Sequence, residues 1–355
     1  MFEYRGVLHV HSTHSDGAGD PAAVVRDAAR AGLDFLAFPE HDNLAPRLAP
    51  GEGWHDGVLV IVGGEISPDN NHYLCFGVQS IPSREHPPER YVEEVRRQGG
   101  FGFAAHPFDR GNPAIRLPSY AWTAGDGWDG LEVWNLSSEF TGQARRGWNL
   151  LWGTLFPGYY LREPDPRNLL CWDQAGRRRP VPAVAGADAH GFRSVLGRMP
   201  SAILNYRKMF ETLQTRVLLD RPLGGRGGED VERVLRALRH GKSFMCNAAL
   251  GDPAGFRFAA EFGGPGRDGD GDLGMGDEAR LSELPGPVQL RAAIRAGVPV
   301  QAEMEILRDG EAIAGGNGTA VTCPVDRPGV YRAVAYRRGL FGRQVWVLSN
   351  AIYLR

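Results

Sequence analysis

Histidines and acidic residues recur together in short patches that each close an apolar run. The patches read His9-Val10-His11 with Ser15-Asp16-Gly17, Glu40-His41-Asp42, Glu65 with His72, Ala105-His106-Pro107, and Asp188-Ala189-His190. Imidazole and carboxylate are the ligands that borderline and hard divalent metals prefer. A lone histidine at a strand end is usually a hydrogen-bonded structural residue. Six of the ten histidines gathered with several acids is a different matter, because carboxylates desolvated side by side need compensating cations. The pattern predicts a multinuclear metal centre and a hydrolytic metalloenzyme. His55, His86 and His240 lack such company and read as structural or exposed.

The elements that would carry these patches alternate. Apolar runs at 6–10, 35–38, 58–62, 101–105, 131–134, 184–187 and 202–204 read as strands. A helix is expected over 21–31, with Asp20 as its N-cap, Pro21 at its first position and Gly32 beyond its end. Further helices are expected over 91–97 and 231–239, the second stopped by Gly241. Alternation of strand and helix implies parallel pairing, and seven parallel strands suggest a closed barrel. Barrel chemistry gathers at the C-terminal ends of the strands, which is where His11, His41, Glu65, His106 and His190 fall. The i, i+2 spacing of His9 and His11 would place both imidazoles on one strand face.

Beyond about residue 243 the texture becomes short, alternating and β-rich, at 288–293, 301–307, 320–324, 329–336 and 344–354, with turns at Asp309-Gly310 and Arg327-Pro328-Gly329. The expected architecture is therefore α/β: a seven-stranded (β/α) barrel over 1–242, then a small all-β sandwich over 243–355. Asp268-Gly269-Asp270-Gly271-Asp272 begins like a calcium loop. It holds Leu273 and Ala279 where a glycine and a closing glutamate are required, and reads as a solvated connection.

Composition narrows the class. With 42% hydrophobic residues and a formal charge of -2, the chain suits a soluble core and gives no reason to expect nucleic acid or a membrane as partner. Lys208 and Lys242 are the only lysines among 40 basic residues. No apolar run approaches the ~20 residues that span a bilayer, and no secretory pattern opens the chain, so a cytoplasmic location is expected. Cys75, Cys171, Cys246 and Cys323 are far apart and read as buried thiols. Oligomeric state is left open.

His9-x-His11 with Ser15-Asp16-Gly17, Phe38-Pro39-Glu40-His41-Asp42-Asn43, Gly64-Glu65 with His72-Tyr73-Leu74, Ala105-His106-Pro107 and Gly186-Ala187-Asp188-Ala189-His190 occur in the order of the PHP (polymerase and histidinol phosphatase) family's motifs. The sequence resembles that family from residue 7 to about 193. A sandwich after the barrel also looks like its carbaryl-hydrolase-like branch. The resemblance implies a distorted seven-stranded barrel with up to three divalent ions (zinc, manganese or iron). His9, His11, Glu65 and Asp188 would hold one, Glu65 would bridge to a second on His72 and His106, and Asp16, His41 and His190 would hold a third. The family often has Thr-Asp-His where this chain has Pro39-Glu40-His41. Glu40 thus replaces an aspartate that supports the third site.

Amidohydrolase-type barrels also open on His-x-His, and their binuclear members usually bridge the metals with a carboxylated lysine in mid-barrel. Here both lysines follow Asp188, which makes Glu65 the natural bridging carboxylate, and an amidohydrolase-type barrel with a glutamate bridge stays open as a rival reading. The expected reaction is hydrolysis of a small organic phosphate ester by a metal-bound hydroxide. Carboxylester or carbamate cleavage at the same centre is one alternative, and a non-catalytic metal-stabilised binding module is another. Arg193, and less directly Arg110, could grip substrate phosphate. His14 could donate a proton to the leaving group. Glu132 and Asn135 could line the pocket, although packing and capping explain them equally well. Trp148, Trp152, Phe156, Tyr159 and Tyr160 could wall the mouth or simply pack an insertion.

Overall fold

The uninterrupted apolar run at 58–62 has no polar face, so it can only form a strand covered on both sides. All nine residues of that strand are buried. A computed structural model describes residues 1–113, 118–143, 161–191, 205–262, 273–295, 302–339 and 342–355. Its first ten strands are β1 (Phe2–Val10), β2 (Phe35–His41), β3 (Gly53–His55), β4 (Val58–Ile66), β5 (Tyr73–Phe76), β6 (Phe101–Ala104), β7 (Gly130–Asn135), β8 (Ala183–Ala189), β9 (Leu213–Leu219) and β10 (Ser243–Asn247). The helices are α1 (Pro21–Arg30), α2 (Pro88–Arg97), α3 (Leu136–Gln143), α4 (Pro166–Gly176), α5 (Tyr206–Phe210) and α6 (Gly227–Arg239).

Seven strands close into a barrel in the order β1-β2-β4-β5-β6-β7-β8, with β8 returning to β1. Six of them run parallel. β5 pairs antiparallel with both β4 and β6, which corrects the expectation of seven parallel strands. β5 is only four residues long, too short to show a period, and the expected strand at 202–204 lies outside the described residues. Helix α1 forms as expected. The Asp20 carboxylate accepts from Ala23 N at 3.3 Å, Pro21 opens the helix, and Gly32 (φ 72°) follows it. Its Val24, Val25 and Ala28 face the core.

The barrel is distorted at β1, which shares one edge between two partners. Phe2 to Gly6 pair antiparallel with β9, whereas Leu8 and Val10 pair parallel with β8. From β9 the sheet continues through β10 into the later strands. These are β11 (Arg257–Phe262), β12 (Leu273–Gly274), β13 (Glu278–Ala279), β14 (Val288–Ala293), β15 (Glu303–Arg308), β16 (Glu311–Asn317), β17 (Ala320–Pro324), β18 (Gly329–Gly339), β19 (Gly342–Ser349) and β20 (Ile352–Leu354). β10 pairs with β19 and β19 with β18, while β12, β11, β14 and β17 form a second sheet. Alternate residues of the two sheets, among them Phe258, Leu290, Met304, Ala333 and Trp346, build the core between them. Among the described residues, no helix is long and apolar enough to cross a membrane.

Polar contacts fasten the sandwich to the barrel. The Tyr353 hydroxyl accepts from Val181 N and donates to Val181 O, both at 2.9 Å, and the Asn350 amide spans Ala183 and Ser243. Arg332 of β18 makes a two-pronged ion pair with Asp173 of α4 at 3.0 and 2.8 Å, and both side chains are almost fully buried. Removing one partner of such a pair strands a desolvated charge, at a cost of about 3–5 kcal/mol. We predict that Asp173→Ala lowers stability to chemical denaturation by about that amount, and that the double change Asp173→Leu with Arg332→Met recovers most of it. A loss below about 1 kcal/mol in the single variant would show that the pair does not fasten the sandwich to the barrel.

Candidate metal centre

All nine residues expected as ligands reach the same rim. His41 ends β2, Glu65 lies near the end of β4, and His11, His106 and His190 follow β1, β6 and β8. His72 immediately precedes β5. Because β5 runs antiparallel, its beginning lies beside the end of β4, and His72 arrives next to Glu65. His9 and Asp188 are reached differently from the simple alternation expected. Leu8 lies opposite Gly186 but Val10 lies opposite Ala189, so β8 uses one residue more than β1 and the pairing is bulged there. His9, Asp188 and His106 all take positive φ, at 62°, 50° and 27°. Such backbone is uncommon for residues with a side chain and concentrates where a site over-determines it.

Glu65 is the hub. Its Oε1 lies 2.9 Å from His72 Nδ1 and 3.4 Å from His106 Nε2. Its Oε2 lies 3.0 Å from His41 Nδ1, 3.2 Å from His9 Nε2 and 3.3 Å from His11 Nε2. Asp188 Oδ1 approaches His9, His11 and His190 at 3.4–3.5 Å, and Asp16 Oδ1 approaches His41 and His190 at 3.4 and 3.2 Å. Three overlapping sets have ligand atoms within 4.8 Å of one another: His9, His11 and Asp188; His9, Glu65 and His106; and His11, Asp16, His41 and His190. Relative to the expected ligand sets, His9 and His11 each serve two groups. His72 touches Glu65, while its other nitrogen faces the Pro68 carbonyl at 2.8 Å.

Buried partners orient the imidazoles. His9 Nδ1 donates to Glu132 Oε1 at 2.9 Å, and the other oxygen of Glu132 accepts from His106 N and from the Asn135 amide. Gly186 makes room for this grip, because a Cβ there would stand 1.8 Å from Glu132 Oε1. Glu40 accepts from Ser12 N at 2.9 Å and from the hydroxyls of Ser12 and Ser15, so its longer arm ties down the loop after His11. The Ser67 hydroxyl meets His41 Nδ1 at 2.7 Å. The Tyr206 hydroxyl lies 2.9 Å from His11 O and 3.0 Å from His190 O. A carboxylate inside the apolar run of β7 was the available signal for Glu132, because a buried charge must be held by something. Tyr206 carries no such signal.

The remaining expected residues are dispersed. His14 turns Nε2 to the Ala49 carbonyl at 2.6 Å. Arg110 pairs with Asp165 at 3.0 Å and borders a cavity that His106 also lines. Arg193, the calcium-like loop 268–272 and the aromatic stretch 148–160 lie outside the described residues. His55 contacts the Gly51 carbonyl, and His86 stands 3.3 Å from Glu94. Tyr120, not singled out by the sequence reading, packs its half-buried ring 4.7 Å from that of His72.

The donor set fits divalent ions. It is imidazole and carboxylate throughout, and His11 Nε2 and His106 Nδ1 are buried without a hydrogen-bond partner among the described residues. Charge coupling is strong. Burial alone would raise the Glu65 carboxyl, yet His9, His41 and His72 hold it well below the usual range. Burial would lower His106 and His190, but the carboxylates facing them raise both to about 9. Burial would raise Asp16, but the hydrogen bond from His190 and the charges of the neighbouring histidines hold it at about 2.

No family model matches the chain. An uncharacterized protein of Methanocaldococcus jannaschii is 22% identical over 113 residues, which are 28% of this chain and 66% of that protein. The phosphoribosyl 1,2-cyclic phosphate 1,2-diphosphodiesterase of Eggerthella lenta is 46% identical over 61 residues, 17% of this chain and 23% of the enzyme. The chain thus spans less than two thirds of either curated relative. Among solved structures, a two-domain protein from Bacteroides vulgatus, described as containing a predicted PHP-like metal-dependent phosphoesterase, aligns over 99% of this chain and 95% of its own, with 13% identity and a TM-score of 0.48. The narrower likeness to the carbaryl-hydrolase branch has no counterpart among these relatives.

The charge pairs set a pH dependence for chelator-treated protein. His106 and His190, raised from 6.5 to about 9, contribute stability that is fully present below about pH 6.5 and lost as pH rises through about 9. Asp16, lowered from 3.8 to about 2, contributes stability that is present above about 3.8 and lost as pH falls through about 2. We predict that the melting temperature of the chelated protein declines from about pH 6.5 to pH 9. An unchanged or rising melting temperature over that interval would show that the rim histidines do not bind extra protons when folded.

Proposed function

We propose that the chain is a metal-dependent phosphoric ester hydrolase acting on a small organic phosphate. The observation that carries this reading is Glu65, one buried carboxylate whose two oxygens face five imidazoles. Two or three divalent ions would be held by His9, His11, Asp188, Glu65, His72, His106, Asp16, His41 and His190, with Glu65 between neighbouring sites. Ions bound there supply a nucleophile from water near neutral pH and offset the charge on phosphoryl oxygens. Glu132 fixes the ring of His9 and the amide of His106, so the site is pre-oriented. Burial of the cluster floor excludes bulk water and strengthens every charge interaction within it. The relative that hydrolyses a cyclic phosphate favours a phosphoester over a carboxylester.

In this reading residues 1–242 form the catalytic barrel and 243–355 a sandwich that braces it. Arg193 and Arg110 stand as candidates for gripping phosphate. A proton-donating role for His14 requires its ring to leave the Ala49 carbonyl.

Purified protein loaded separately with zinc, manganese or iron should hydrolyse p-nitrophenyl phosphate or bis-p-nitrophenyl phosphate, and a chelator should abolish turnover reversibly. Glu65→Gln should lose bound metal by elemental analysis and at least about 100-fold in turnover, whereas Glu132→Gln should weaken metal binding by about 10–100-fold. Turnover of p-nitrophenyl acetate alone would replace the phosphoesterase reading with a carboxylesterase. Full metal content without turnover of any ester would make the chain a binding module.

A further inference from the structure

A cavity of about 260 Å³ opens beside the cluster, with His106 and Asn135 on its inner side and Ser138 and Glu139 of α3 along its wall. Helix α3 is tied to the strand that carries Asp188, because the Ser137 hydroxyl lies 2.8 Å from Asp188 O. It is tied to β7 as well, where Ser138 N donates to Asn135 Oδ1 at 2.8 Å. Ser138 Oγ in turn donates to Asp109 at 3.0 Å. The position of Glu139 relative to the rim is therefore set by contacts to ligand-bearing elements. One of its oxygens accepts from Asp165 N at 2.9 Å.

We propose that this cavity seats the leaving group of the substrate and that Glu139 protonates the departing oxygen. The inference rests on the phosphoesterase reading and names its substrate class: phosphate esters of a small, polar, unactivated alcohol. A volume of about 260 Å³ suits a small leaving group. The lining is rich in donors and acceptors, with Arg110, Arg162, Glu163 and Asp165 around Glu139, and suits hydroxyl or amine substituents. The arginine charges are partly spoken for, since Asp165 is gripped by both Arg110 and Arg167 at 3.0 and 2.9 Å.

The chemistry needs such a group. As the oxygen of water bonds to phosphorus, the bond from phosphorus to the alcohol oxygen breaks. That oxygen would depart as a strongly basic alkoxide. The Glu139 carboxyl gives it a proton, the alcohol leaves neutral, and the carboxylate recovers a proton from solvent, into which the attacking water has released its own. A donor is useful only if it is still protonated near neutral pH. Burial pushes the Glu139 carboxyl up to about 7; the Asp165 and Glu163 charges add to this, against the Asp165 amide and Arg110. His14, the sequence candidate for this part, is turned to a backbone carbonyl instead.

The test compares aryl and alkyl esters in the metal-loaded, full-length protein: p-nitrophenyl phosphate with glycerol phosphate, and the corresponding methyl diesters. p-Nitrophenolate leaves without help, whereas glycerol does not. Glu139→Gln should lower kcat on the alkyl ester by about 100-fold or more and leave the aryl ester within about threefold, with metal content unchanged. The fall in alkyl-ester turnover above about pH 7 should vanish in that variant, and Asp165→Asn should move it to lower pH. An infrared carboxyl band that titrates near neutrality in the wild type should be missing from Glu139→Gln. Equal losses on both esters, no loss on either, or a wild type that turns over only the aryl ester would overturn the assignment while leaving the phosphoesterase reading intact. A wild type inactive on both would remove that reading and this inference together.

Discussion

A carboxylate taken out of water among imidazoles must be paid for in positive charge, and Glu65 sets that condition for the whole barrel rim. Five ring nitrogens lie within 3.4 Å of its two oxygens. Without an ion, the carboxylates around them favour protons on His9, His41 and His106. With ions, those protons must go, because only neutral imidazole coordinates. Metal uptake at this cluster would therefore be coupled to proton loss. The bulge at His9 and Asp188 and the strained backbone at His106 are what the chain accepts to aim these side chains inward.

Much of this was legible in the sequence because histidine is rare and expensive at strand ends. The patches at His9, His41, Glu65, His106 and Asp188 stand out against apolar runs, and each does end a barrel strand. The reversal of β5 was not legible. Tyr73–Phe76 is four apolar residues with no pattern to fix direction, and only pairing with β4 and β6 decides it. That reversal also explains why His72, which precedes a strand, shares a rim with residues that follow theirs. The supporting layer was read weakly for a similar reason. Glu132 stands out in sequence only as a carboxylate inside an apolar run, and what it holds is decided by Gly186 on the neighbouring strand, whose missing side chain leaves space for the carboxylate. In the sandwich, β16 escaped notice since Glu311–Asn317 is mostly exposed and glycine-rich, with no alternation.

The two lobes are less separable than the change in texture at 243 suggests. β10 begins at that point, yet it pairs with β9 on one side and β19 on the other, so hydrogen bonding runs across the boundary without a break. Asn350 and Tyr353 then clamp the loop entering β8, the strand that ends in Asp188 and is followed by His190. A β-rich appendage identified from alternation alone is therefore hydrogen-bonded to the segment that leads into the strand carrying Asp188.

The divided edge of β1 carries a mechanical consequence. Its first half belongs to the sheet that leads to the C-terminus, and its second half carries His9 into the cluster. Tension applied at the chain's end would travel as shear along β20, β18, β19, β10 and β9, and would load β1 a few residues from the imidazole. A pulling force on the C-terminal strands would then be felt first at the half of β1 that leads into His9.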